Sequence, residues 1–238
     1  MSLGIVEPIL LLRKRSFLNS EQTMTKPNIS LYFCRDSRAI RPLWALEELA
    51  LPYELINMDF PPRYRVENYK EINELGTVPT LTDGDVTLTE SSAMGQYLVD
   101  KYAPNSSLIV NSHEQAYGEY LNWMYRSDAT FTFPQTIYLR YARFEKPENQ
   151  KPEVAEDYII WLFARLRSVD NAIENKEYLC ADRFTLADIN VGYALYLAKV
   201  LGFENRMNEQ AKRYLANLMN RPAFQRCLEQ QDHLAEVF

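Results

Sequence analysis

Histidine and cysteine are scarce: His113 and His233 are the only two imidazoles among 238 residues, and Cys34, Cys180 and Cys227 the only three thiols. An odd thiol count without paired spacing gives neither a disulfide framework nor a zinc ligand set, and it points to a reducing compartment. A basic excess is also missing. Lysine and arginine number 26 against 32 aspartates and glutamates, a formal net charge of −6, which argues against nucleic acid as the main ligand because phosphate neutralisation needs a broad positive surface. No long apolar run occurs either. The opening stretch has a short one, Ile9 to Leu12, ahead of the basic Arg13-Lys14-Arg15; that order is the reverse of a signal peptide's, and the run is far short of the ~20 residues that span a bilayer. The expectation is a cytoplasmic protein with no membrane partner and no metal. Residues 1–27 read as a leader or extension, with Met24 the more natural start, or else as a helix that docks on the fold or on a partner.

Hydrophobic residues make up 47% of the chain, enough to fill the core of one large domain or two modest ones. From Asn28 the periodicity is informative. "NISLYF" is a short β-prone run, and "SRAIRPLWALEELAL" then places Ile40, Leu43, Trp44 and Leu46 at helical spacing. "PYELINM" alternates as a strand does, "RYRVENYKEIN" is short and helix-like, and "TVPTLTDGDVTLTE" predicts a hairpin turning at Asp83-Gly84. The helix "SSAMGQYLVDKYA" follows and stops before Pro104. The order is β-α-β-α-β-β-α over residues 28–103. A polar, proline-bearing connector covers 104–111, and nearly every later segment is helical in period, with interruptions expected at Pro134 and Pro147. The fold class is therefore an α/β domain, 28–103, followed by an all-helical domain, 112–238. In "FTLADI", Thr185 has the chemistry of an N-cap and Asp188 that of its capping-box partner, a folding signal rather than a catalytic one.

Taken in order, "ALEELALPYEL", "GTVPTLTDGDVTLTESSAMGQYL" and "FTLADI" resemble the cytosolic glutathione transferase superfamily over roughly residues 29–230. The resemblance implies a thioredoxin-like first domain, a helical second domain, glutathione as co-substrate and a homodimer. It further implies transfer of glutathione to a small hydrophobic electrophile, or exchange with a disulfide, in detoxification. Val78 and Pro79 fall where the family pairs backbone groups before a cis proline with the cysteinyl unit of glutathione. Glu90 and Ser91 fall where it holds the ligand's γ-glutamyl end; on chemistry alone the pair could equally be simple helix capping. The lysine that many relatives place ahead of an "N-P-x-G" motif is absent, since this chain reads "KEINELGTVP". Lys70 or Arg41 is the candidate for the glycyl carboxylate.

The stretch "YFCRDSRAIRPLWALEEL" bears the chemical question. Resemblance puts Cys34 at the start of the first helix, where serine-type relatives carry a hydroxyl and omega-like relatives a cysteine. A helix N-terminus, or the neighbouring Arg35 and Arg38, can lower a thiol pKa. Three options stay open: Cys34 as the reactive group of an omega-like thioltransferase, Ser37 as a hydroxyl donor to the glutathione sulfur, or no side-chain catalyst. A non-catalytic partner-binding protein on the same fold is a further alternative. Tyr32 belongs to the strand before the turn and is discounted. Tyr117, Tyr120 and Trp123 are candidates for the electrophile pocket, although such an aromatic stripe is more often core or dimer packing.

Overall fold

The computed structural model describes residues 28–234 and Val237; the extension expected over 1–27 lies outside them. In β1 (Ile29–Phe33) the residues Ile29, Leu31 and Phe33 are buried while Ser30 and Tyr32 are less so, the period-2 pattern of a strand packed on a core. β1 pairs in parallel with β2 (Glu54–Asn57), Leu31 opposite Leu55. A parallel pair needs a crossover, and α1 (Ile40–Glu48) supplies it. On its other edge β1 runs antiparallel to β3 (Thr80–Asp83), which turns through Gly84 and Asp85 into β4 (Val86–Leu88). The sheet order is β2-β1-β3-β4, with the hairpin loop one residue later than the sequence places it. The helix-like segment between β2 and β3 is two single turns, α2 (Pro62–Arg65) and α3 (Tyr69–Ile72), separated by Asn68 in the left-handed region. α4 (Ser91–Tyr102) closes this part and is tied to the sheet through Asp83, which accepts hydrogen bonds from Tyr97, Lys101 and Tyr102 at 2.8, 2.7 and 2.5 Å.

The second part is helical. Pro134 does not break the chain where the pattern suggests it should. α5 (Tyr117–Arg126) runs into a π-helical stretch, Ser127–Thr132, and on into α6 (Phe133–Leu139), where Pro134 occupies the first turn. The proline has no N–H to donate into the helix, and the wide π-helical turns directly before it are where such an irregularity is accommodated. A second π-helical stretch, Arg140–Phe144, ends at Glu145, and Pro147 marks a real interruption before α7 (Pro152–Ala172). α8 (Leu186–Val200), α9 (Glu209–Met219) and α10 (Pro222–Gln231) follow.

α8 is the axis of the core: every residue from Leu186 to Ala198 is buried. It approaches α1 closely enough that a Cβ on Gly192 would lie 2.8 Å from the Leu218 side chain and 3.3 Å from the Trp44 ring. Trp44 packs edge-on against Phe224 of α10, with ring centroids 4.6 Å apart. Arg221 grips Glu48 with two bonds, at 2.6 and 2.9 Å, so the last helix returns to the first domain.

The predicted cap is present at the start of α8. The Thr185 N–H donates to Asp188 at 2.8 Å, and the Thr185 hydroxyl accepts from the Ala187 N–H at 3.2 Å. Asp188 also accepts from the Leu179 N–H at 2.9 Å and the Tyr214 hydroxyl at 2.7 Å. Burial raises the pKa of this carboxyl, and its donors only partly offset that. Asp188→Ala strands several buried donors at once, each worth ~1–3 kcal/mol. The expected loss is about 3 kcal/mol or more, read from the urea midpoint at constant m-value; a loss below about 1 kcal/mol would show that the cap is incidental.

Candidate functional site

Arg41 lies inside the protein at 1% exposure, although arginine is rarely buried unless paired. Its Nη1 donates to Ser91 Oγ at 3.1 Å and to Asp128 Oδ1 at 2.5 Å; its Nη2 donates to Thr132 Oγ1 at 2.8 Å and to the Ser127 and Asn190 carbonyls at 3.3 and 3.2 Å. Its plane lies over Tyr193, 4.9 Å from the ring centroid. One guanidinium therefore binds α1, the start of α4, the π-helical stretch and α8. Burial lowers its pKa and Asp128 opposes that shift. With both terminal nitrogens so engaged and the whole group buried, Arg41 serves the framework and is not presented to a ligand's glycyl carboxylate. Lys70 is exposed on α3.

The framework sets up a cavity of about 550 Å³ whose walls include Val78, Pro79, Glu90, Ser91, Arg38 and Asp128. The β1–β3 ladder ends at Tyr32 opposite Thr80, so Val78 lies just past the paired strand, and its bond to Pro79 is cis. Glu90 occupies the N-cap position of α4 with extended backbone, yet its side chain makes no capping hydrogen bond. Simple capping therefore does not account for it: an exposed carboxylate stands beside the positive end of a 12-residue helix. Ser91, 3% exposed, is held by Arg41. Ser92 donates to Asp128 Oδ2 at 2.7 Å.

The turn after β1 is arranged differently from the expectation. α1 begins at Ile40, six residues beyond Cys34, so the thiol is not at a helix N-terminus. Cys34 is fully buried, and its pKa is pushed up to about 12 by burial and then by the charge of Asp59. Ser37 donates its hydroxyl to the Cys34 carbonyl at 2.6 Å and accepts from the Ala39 N–H at 3.2 Å, which shapes the turn. Neither side chain lines the cavity; Arg38 does. Sequence reasoning took Arg38 only as a neighbour of the thiol, because facing direction within an irregular turn has no periodic signal. Asp36, with φ of 55°, locks the same turn to the helical part: it accepts from Tyr196 at 2.5 Å and from Gln231 of α10 at 3.0 Å.

Two of the aromatic candidates line a cavity that shares Glu90, Asp128 and Ala129 with the Ser91 cavity. Tyr117 and Tyr120 line a cavity of about 720 Å³ between α4 and α5, while Trp123 is buried and stacks on Phe131 with centroids 6.4 Å apart. A different cavity, about 870 Å³, shares Arg38, Thr77 and Val78 with the Ser91 cavity and opens between the sheet part and the helical part. Cys180 and Cys227 are free and buried. Among the described residues no group of three His, Cys, Asp or Glu side chains could hold a metal ion, and no helix is long and apolar enough to cross a membrane.

The Asp128 carboxyl feels burial, which raises its pKa, but the Arg41 charge and hydrogen bond, the Ser92 hydroxyl and the Arg38 charge outweigh it and hold the group below the ordinary value. A depressed folded pKa stabilises the fold above the unfolded value, and that contribution is lost as pH falls through the folded one. Urea midpoints measured downwards from pH 6 should accordingly fall more steeply for the parent than for Asp128→Asn; parallel slopes would contradict the assignment.

Residues 31–106 match the model of the glutathione S-transferase N-terminal domain. Glutathione S-transferase 3 of Schizosaccharomyces pombe is 28% identical over 209 residues, covering 82% of this chain and 84% of that protein. The backbone superposes on glutathione transferase URE2P8 of Phanerochaete chrysosporium, solved with oxidised glutathione, with a TM-score of 0.75 at 20% identity, over 87% of this chain and 96% of that one. Ure2p5 of the same organism, cocrystallised with 1-(S-glutathionyl)-2,4-dinitrobenzene, gives 0.74 at 21% identity, over 87% and 96%. The mixed four-stranded sheet followed by a helical domain, the matched N-terminal domain and the relative aligned along most of both chains agree: residues 31–106 are a glutathione S-transferase N-terminal domain, and the chain as a whole has the glutathione transferase fold.

Proposed function

We propose that the protein is a glutathione transferase that holds glutathione in the Val78–Ser91 cavity and joins its sulfur to a small hydrophobic electrophile bound in the adjoining interdomain cavity. The observation that carries the reading is the uncapped Glu90 carboxylate beside buried Ser91, on one cavity wall with Val78. The Glu90 carboxylate suits the γ-glutamyl ammonium, and the Ser91 hydroxyl with the α4 N-terminus suits the carboxylate beside it. Backbone groups of Val78 can pair with the cysteinyl unit as an added strand would. The glycyl end then extends towards Lys70 or Arg38. The thiol gives its proton to solvent, favoured by the Arg38 guanidinium at the junction of the two cavities. The thiolate forms a C–S bond as the carbon–halogen bond breaks, and the halide leaves with the electron pair. Ure2p5, which shares the fold, was cocrystallised with a glutathionyl dinitrobenzene, a conjugate of the kind such a reaction yields.

Conjugation needs nothing of Cys34, whereas thiol exchange needs that thiol unburied and deprotonated from about 12. Cys34→Ser should therefore leave conjugation of an aromatic halide within about twofold, as should Ser37→Ala if its role is confined to the turn. Loss of glutathione–disulfide exchange in Cys34→Ser, with exchange faster than conjugation in the parent, would replace this reading by the thioltransferase one.

Ser91→Ala and Glu90→Ala should each weaken glutathione binding about tenfold or more, since a charge-assisted hydrogen bond is worth ~1.5–3 kcal/mol. Titration calorimetry giving unchanged affinity in both would remove the site. The protein acts as a homodimer in the cytoplasm in this reading, a compartment suggested by its free thiols. The α4–α5 cavity with exposed Tyr125 offers the dimer an apolar face, and light scattering at micromolar concentration should return twice the 27.9 kDa chain mass.

A further inference from the structure

The interdomain cavity is cationic in an acidic protein. Among the described residues Arg38, Arg63, Arg140 and Arg143 line it against one carboxylate, that of Glu145, whereas the whole chain carries a net charge of −6. Two of the four guanidinium groups face a carboxylate. Arg140 binds Glu145 at 3.0 Å, and Arg38 donates to Thr136 at 2.7 Å while its Nε stands 3.8 Å from Asp128. Arg63 and Arg143 have no carboxylate partner among the described residues. Arg63 lies over the Tyr64 ring, 4.7 Å from the centroid, and its Cβ is packed so close to Gly76 that a Cβ there would lie 2.7 Å away. The wall behind the charges is apolar, formed by the prolines at 61 and 62 and by Phe60 and Phe144, whose ring centroids are 5.4 Å apart.

We infer that the second substrate is an amphipathic anion, a small electrophile with an apolar or aromatic body and a carboxylate or sulfonate, the body against Phe60 and Phe144 and the anion on Arg63 and Arg143. This rests on the conjugation reading above and adds the substrate class. A cleft lined by one sign of charge with apolar walls focuses its field and concentrates the opposite ion, and guanidinium forks match carboxylates in geometry. The glycyl carboxylate of glutathione does not account for the pair: Arg38 lines the glutathione cavity, but Arg63 and Arg143 line only its neighbour.

The test is calorimetry with S-benzylglutathione and with the same thioether carrying a para-carboxylate on the ring, on the parent and on Arg63→Gln/Arg143→Gln. The parent should bind the carboxylate conjugate about tenfold more tightly, the scale of one charge-assisted contact. The double variant should lose that preference while keeping its affinity for S-benzylglutathione, which also shows that it is folded. Equal affinities in the parent, or a preference that survives the double substitution, overturns the inference. A parallel loss of affinity for both conjugates overturns it as well, by assigning the arginines to the glutathione moiety. If the parent binds neither conjugate, the glutathione reading itself falls and the inference with it.

Discussion

The Arg41 guanidinium is the constraint on which the rest of the site depends. It is a full charge inside a protein core, and burying such a charge is costly unless it is paired and hydrogen-bonded. The chain answers with the Asp128 carboxylate, hydroxyls of Ser91 and Thr132, and carbonyls from the π-helical stretch and α8. Those acceptors come from both parts of the molecule. Satisfying one cation therefore fixes where the first turn of α4 stands relative to the helical domain, and with it where Glu90 and Ser91 face. The wide turn Ser127–Thr132 belongs to the same arrangement, since it brings the Ser127 carbonyl, Asp128 and Thr132 to one side chain.

A second set of contacts fixes the opposite wall. Asp36 is tied to Tyr196 and Gln231, and Glu48 to Arg221, so α8 and α10 hold the turn that carries Arg38. Two cavities meet at that turn. Their chemistry is divided: acidic Glu90 and a helix N-terminus on the side proposed for glutathione, arginines and phenylalanine rings on the other. Arg38 belongs to both.

Much of this was legible in the chain. Alternation in "NISLYF", helical spacing in "WALEEL", the Asp-Gly turn and the Thr185–Asp188 box each depend on neighbours close in sequence, and each led to the observed element. The π-helical continuation through Pro134 was not legible, because the partner of its Ser127 carbonyl, Asp128 and Thr132 is Arg41, far away in the sequence. Cys34 shows the same limit: its position after a strand was clear, but its complete burial comes from tertiary packing, with Asp59 and Tyr69 among the groups near the thiol. The arginine cavity was equally hidden. Arg38, Arg63, Arg140 and Arg143 are scattered along the sequence, and only the packing of the helical part over the sheet part brings them to one space.

The central claim is that two adjoining cavities receive glutathione and its partner with the sulfur between them. A crystal structure of the protein soaked with glutathione tests it most directly. The account predicts the γ-glutamyl carboxylate at Ser91 and the α4 N-terminus, the ammonium at Glu90, backbone pairing with Val78, and the sulfur at the Arg38 junction, with Cys34 still buried and unmodified. Glutathione found disulfide-bonded to Cys34, or seated away from Ser91 altogether, would contradict it.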